Sequence, residues 1–207
     1  MAPAIQEWVY YFGLGAVAVS AATGVLEAGR KPFDLFGMVV VALAAALGGG
    51  TIRDVLLDRP VFWVADVTYL YTACLAGVAT FALVRLVRLP PNLFLIPDAV
   101  GLALFTILGT EIALAFGTPW FTATLLGVVT GVFGGVLRDI LCNEVPLVFG
   151  GELYATAAWS GAVLLVALNE LGLAGQLAAW AAFCAILAMR LAALRWRIGL
   201  PVFTARR

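Results

Sequence analysis

The sequence predicts an all-α integral membrane protein of seven transmembrane helices, built as two inverted three-helix repeats plus one extra helix, with glycine-kinked second and fifth helices. Three observations predict it. Hydrophobic residues make up 64% of the 207-residue chain and charged residues 12%, with a mean hydropathy of +1.07, far from the balance of a soluble domain. Apolar runs of spanning length recur along the whole chain. Shifting the sequence by 85 positions aligns it with itself at its most polar membrane positions.

Taken in order, the apolar runs between charge or proline punctuation lie at 8–29, 35–57, 66–84, 97–116, 120–142, 152–170 and 175–194. No positive n-region precedes Trp8, so the first run reads as a retained span rather than a signal peptide. The second run carries Gly48-Gly49-Gly50 and Arg53-Asp54. The third ends at Arg85 and Arg88 and meets Pro90-Pro91, which cannot continue a helix and mark the clearest internal boundary. The fourth contains Glu111, and the fifth repeats the pattern of the second at Gly134-Gly135 and Arg138-Asp139. The sixth begins at Glu152. The seventh passes into Arg195-Trp196-Arg197 and the terminal Arg206 and Arg207, an amphipathic tail with its aromatic at the interface. The chain accordingly divides into 8–92, 93–171, and 172–207 for the seventh helix and basic tail.

With seven spans the termini lie on opposite sides. Arg30, Lys31, Arg85, Arg88, Arg190, Arg195, Arg197, Arg206 and Arg207 then fall on the C-terminal side, against Arg59 alone in the loops of the other. The positive-inside rule makes the C-terminus cytoplasmic and the N-terminus external.

The offset of 85 pairs Gly49-Gly50 with Gly134-Gly135, Arg53-Asp54 with Arg138-Asp139, Leu56 with Leu141, Tyr69 with Tyr154, Gly24 with Gly109 and Phe36 with Phe121. A unit of three spans is odd, so its second copy sits upside down, as in transport proteins whose pathway runs at the repeat interface. Gly48–Gly50 lie 12 or more residues into the second span, about 18 Å along a helix and close to the bilayer centre. Consecutive glycines each weaken a helix interior, so a kink or break is expected there, with freed carbonyls facing a polar path. The copies differ at Phe133, which stands where the first has a glycine.

The Arg-Asp pairs follow the glycines by about one turn, still within the span. An intramembrane charge costs a few kcal/mol and faces the bundle interior or water. One isolated pair would equally well be a snorkelling arginine neutralised by its neighbour. Two pairs, at matched distance from matched glycines in opposed orientation, favour a pore-lining role. Glu27, near a span end, reads as solvent-facing, while Glu111 lies deeper. Trp8, Tyr10, Tyr11, Trp63, Trp120 and Trp196 suit an interfacial belt. Gly127 and Gly131 form a GxxxG suited to helix packing. Cys74, Cys142 and Cys184 read as inert buried thiols, without CxxC spacing or histidine to form a zinc site. No nucleotide-binding, zinc or nucleophile–base motif is found, so no enzyme and no cofactor are expected; zero net charge without a basic aromatic run excludes nucleic acid as a partner.

Ser20-Ala21-Ala22-Thr23-Gly24, Asp34-Leu35-Phe36-Gly37, the runs 47–54 and 134–141, and Glu152-Leu153-Tyr154-Ala155-Thr156 together resemble the bacterial members of the trimeric intracellular cation (TRIC) channel family, formerly labelled a glycine-transporter-like domain. The resemblance spans residues from about 8 to 195. It implies a homotrimer in the bacterial inner membrane, with one pore per subunit for potassium and sodium, lined by the second and fifth helices. The basic positions of the family's pore motif are represented by Arg53 and Arg138. The implied pathway residues are Gly48, Gly49, Gly50, Thr51, Arg53, Asp54, Gly134, Gly135, Arg138 and Asp139. No tight metal site is implied; potassium would rest transiently on the carbonyls of Gly49, Gly50, Gly134 and Gly135. The alternative is a secondary transporter of glycine or another small solute, because inverted repeats with broken helices suit alternating access equally; a membrane scaffold whose charges lock the bundle is a third reading.

Overall fold

The computed structural model describes residues 3–86, 90, 92–173 and 175–201. Its long helices are α1 (Pro3–Ala28), α2 (Leu35–Leu56), α4 (Thr68–Leu86), α5 (Leu95–Ala115), α6 (Trp120–Leu141), α7 (Ala155–Glu170) and α8 (Gly175–Trp196), with a one-turn α3 (Phe62–Ala65) before α4 and a 3-10 turn at Leu147–Phe149 before α7. Six of them are long and apolar enough to cross a membrane. The exception is α7, whose 16 residues reach about 24 Å. The predicted run 152–170 loses its first turn because Glu152 forms a β-bridge with Gly199 and the Leu153 amide donates to the Ile198 carbonyl at 3.1 Å.

Local chemistry sets the ends of the helices. Asp34 caps α2 by accepting the Gly37 amide at 2.7 Å. Both α2 and α6 stop two residues before a left-handed position, Asp58 (φ 49°) and Asn143 (φ 54°), residue types that tolerate this conformation. Those two positions are again 85 apart.

Neither α2 nor α6 is interrupted at its glycines: both run as continuous helices, so the expected break is not found there. In an unbroken helix the carbonyls of Gly48–Gly50 accept bonds from the next turn and are not released. The glycines instead let backbones touch, which stabilises helix association where lipid competes with any apolar contact. A Cβ on Gly49 would overlap the Thr130 carbonyl oxygen, and one on Gly134 would overlap that of Ala45. Gly24 packs likewise on the Ala42 backbone and Gly109 on that of Gly127, while Gly127 and Gly131 seat α6 on Thr106 and Thr110 of α5. Each matched contact joins residues that are themselves displaced by 85.

Around these crossings lie two apolar clusters. One gathers Val17, Val25, Val41 and Leu47 from α1 and α2; the other gathers Leu102, Ile107, Leu165 and Ile186 from α5, α7 and α8. Lys31 reaches Glu144 at 2.7 Å, which places the α1–α2 turn and the segment after α6 at one end of the bundle. Three sequence readings are corrected here. Glu27 is 2% exposed and bound to Arg30 at 3.0 Å, because the last turn of α1 is covered rather than solvated. Arg190 is a buried residue of α8, not a loop cation. Of the cysteines only Cys142 is buried, and Cys184 is exposed on α8. Arg88, Arg206 and Arg207 lie outside the described residues.

Candidate functional site

The two Arg-Asp pairs sit in the last turns of α2 and α6 and make the same bonds. Arg53 Nε donates to Asp54 Oδ1 at 2.8 Å, and Asp54 Oδ2 accepts the Phe62 amide at 2.8 Å. Arg138 Nε donates to Asp139 Oδ1 at 2.8 Å, and Asp139 Oδ2 accepts the Leu147 amide at 2.9 Å. Each aspartate thus neutralises its neighbour with one oxygen and starts the following short turn with the other. All four side chains are buried. A guanidinium also stands over an aromatic face in each half, Arg53 over Phe62 at 5.8 Å and Arg138 over Phe94 at 4.9 Å.

Beyond this shared frame the halves diverge. Arg138 Nη1 donates to Asp98 of α5 at 2.6 Å and to the Thr23 hydroxyl of α1 at 3.3 Å, and the Tyr154 hydroxyl donates to Asp98 Oδ1 at 3.4 Å. The position matched to Asp98 is Gly13, whose bare face is filled by the Tyr69 ring instead. Around Arg53 the extra charge is Arg59, whose Nε lies 3.6 Å from Asp54 Oδ1. One centre therefore joins two guanidiniums to one carboxylate and the other joins one guanidinium to two carboxylates. Asp98 Oδ2 and Arg138 Nη2 are buried without a protein partner among the described residues. Behind Tyr154, Arg190 stands over the ring at 4.8 Å and donates to the Leu153 carbonyl at 2.8 Å.

Among the other predicted residues, Thr51 donates to the Leu47 carbonyl at 2.7 Å and accepts the Trp63 indole at 2.9 Å. Gly48 faces Leu137, Gly50 faces the Phe62 ring and Gly135 faces the Tyr154 hydroxyl. The structure brings the predicted residues of α2 and α6 together at their crossing but sets the two Arg-Asp pairs beyond it on either side. A cavity of about 480 Å³ opens beside the Arg53 centre, between α1, α2, α5 and the α3–α4 link, and both Arg53 and Arg59 line it. Sequence reasoning missed Asp98, Thr23 and Arg59. Asp98 had a signal in its position: an acid in the first turn of a span, next to Pro97.

The family model described as glycine transporter matches residues 7–85 and 95–170. The UPF0126 inner membrane protein YadS of Escherichia coli is 40% identical over 198 residues, covering 94% of this chain and 96% of its own. Among solved structures, the TRIC trimeric intracellular cation channel orthologue from Rhodobacter sphaeroides is 38% identical with a TM-score of 0.89, over 93% of this chain and 100% of its own. A prokaryotic TRIC channel solved in 0.5 M KCl is 26% identical with a TM-score of 0.86, over 94% of this chain and 100% of its own. With a family model matched along both halves and solved relatives superposing on nearly the whole chain, this protein belongs to the glycine-transporter family of that model, the family of the bacterial TRIC channels.

Proposed function

We propose that the protein is a monovalent cation channel, chiefly for potassium, working as a homotrimer in the bacterial inner membrane with one pore per subunit. The observation that carries this reading is the likeness in sequence and fold to the solved TRIC channel of Rhodobacter sphaeroides. The pore is lined by Gly48, Gly49, Gly50, Thr51, Arg53 and Asp54 of α2 and by Gly134, Gly135, Arg138 and Asp139 of α6, with Asp98 added to the set. Six of the seven long helices act as two inverted repeats, 8–92 and 93–171, and α8, in the third segment 172–207, braces them through α5 and α7.

Charge and packing give the mechanism. Arg53, facing the cavity, raises a positive barrier against cations, strongest for divalent ones. Asp98 and Asp139 make the opposite end attractive to them. Between the two, the Gly49–Thr130 and Gly134–Ala45 contacts leave no room for an ion. Conduction therefore requires α2 and α6 to bend or separate at their glycines, which exposes the carbonyls of Gly49, Gly50, Gly134 and Gly135 as transient potassium ligands. The N-terminus lies outside and the C-terminus in the cytoplasm.

The description of the family model as a glycine transporter favours a second reading, alternating access for a small solute. Planar-bilayer recording of the purified protein across a potassium gradient separates the two. Unitary currents reversing toward the potassium equilibrium potential are expected. Saturable glycine counterflow in proteoliposomes without unitary currents would replace the channel by the carrier.

A further inference from the structure

We propose that the cavity beside Arg53 and Arg59 is a binding site for a small monocarboxylate with a short apolar tail. The site rests on its own chemistry and stands whether or not the protein conducts potassium.

Two guanidiniums reach one cavity while the carboxylate that holds them does not. Arg53 and Arg59 both line the space. Asp54, the acid they share, is fully buried and has its second oxygen committed to the Phe62 amide. Arg53 bonds Asp54 Oδ1 through Nε at 2.8 Å and Nη2 at 2.7 Å, so Nη1 has no protein partner among the described residues. Arg59 Nε lies 3.6 Å from the same oxygen, beyond hydrogen-bond distance, and its guanidinium makes no hydrogen bond among the described residues. Its guanidinium is held over the Phe116 ring at 5.5 Å, which fixes its position without using its donors. Asp66 is the one acid on the lining, and its carboxylate accepts the Thr68 amide at 2.9 Å. The lining carries two positive charges against one negative, with donors arranged in the planar forks that recognise a carboxylate.

Apart from Tyr10 and Tyr69, the remaining wall is apolar. Phe105, Leu108, Ile112 and Phe116 of the α5 end line the cavity. Its volume of about 480 Å³ exceeds what a bare inorganic anion would fill and lies within the usual range for organic ligands. A cationic head beside an aliphatic and aromatic wall selects a carboxylate that carries a hydrocarbon tail.

The test is titration of the full-length protein in lipid nanodiscs with acetate, butyrate, hexanoate and hexylamine, with empty nanodiscs subtracted. Affinity should rise about fourfold per added methylene from acetate to hexanoate, and hexylamine should not bind. Arg59→Gln should weaken acetate and hexanoate alike by about tenfold or more. Ile112→Ala should flatten the chain-length series while leaving acetate binding in place, and Asp66→Asn should tighten both carboxylates. Equal affinity for acetate and hexanoate would overturn the apolar half of the site. Binding of hexylamine as tight as hexanoate, or binding unchanged in Arg59→Gln that melts like wild type, would overturn the whole. If Arg59→Gln does not fold, Asp66→Asn decides: no change in carboxylate affinity rejects the proposal. Loss of potassium current with carboxylate binding intact would count against the channel reading alone.

Discussion

Gly134 presents its bare α-carbon to the carbonyl oxygen of Ala45, in a contact that any side chain would overlap. Neither backbone can retreat without opening the α2–α6 crossing. Gly134→Ala should therefore destabilise the folded protein by about 1–3 kcal/mol through overpacking, read as a lower melting temperature in detergent. Gly15→Ala, where nothing stands within 4 Å of the new methyl group, should be neutral or slightly stabilising.

Asp98→Asn should be costly out of proportion to its size. It leaves Arg138 buried with one carboxylate in place of two, a loss on the order of 3 kcal/mol when a buried ion pair is broken. Thermal unfolding of this variant should fall well below that of Asp66→Asn, whose acid lies at the cavity and outside any ion pair among the described residues. Equal melting temperatures for the two would show that Asp98 does not anchor Arg138.

Single-channel recording should separate the two arginines. Arg53→Gln removes a charge facing the cavity and should raise potassium conductance by roughly twofold to fivefold, the effect of one charge several ångströms from the ion at intermediate dielectric. Arg138→Gln strands Asp98 and Asp139 and should appear first as reduced yield of folded protein. Asp139→Asn should lower selectivity for cations over anions. Wild-type conductance and selectivity in Arg53→Gln and Asp139→Asn would place the pathway elsewhere.

The Lys31–Glu144 pair supplies a pH dependence. The Lys31 ammonium, by its hydrogen bond and its charge, holds the Glu144 carboxyl below its ordinary value in the folded state. A depressed acid stabilises the fold above its unfolded pKa, near 4.3, and that contribution is lost as pH falls through the lower folded value. Both groups are solvated, so the effect is small. Melting temperatures of wild type and Glu144→Gln should differ at pH 7 and converge below about pH 4; a constant difference would mean that the pair contributes no linkage.

Reporter fusions at the C-terminus should behave as cytoplasmic, and a cysteine placed at Asp58 should react with impermeant thiol reagents from outside. The reverse pattern would invert the orientation drawn from the cation asymmetry.

The helices were largely legible in the sequence because lipid leaves few options: a long apolar run bounded by charge or proline is a helix, and six predicted runs match helices of spanning length within a few residues. The run 152–170 was harder, since only the pairing of Glu152 with Gly199, distant in sequence, removes its first turn. The Arg-Asp pairs were visible through their repetition. Their environment was not, because Asp98 reaches Arg138 from 40 residues away and has no copy in the other half to mark it. The glycines misled in one respect. Propensity counts what glycine loses inside an isolated helix, whereas here its value lies in what approaches it from the neighbouring one.

The α2–α6 crossing carries a trace of ancestry. Ala45 meets Gly134 as Thr130 meets Gly49, the reciprocal pattern of an isologous interface between identical subunits. A half-length forebear meeting its twin in antiparallel across a two-fold axis would have touched itself in this way, and fusing the twins would have kept the handshake. Fusion would also have lifted the constraint of sameness. A dimer of identical halves must carry an acid at both Gly13 and Asp98 or at neither, so the present division into one end with two guanidiniums to a carboxylate and another with two carboxylates to a guanidinium could arise only after the two copies became one chain.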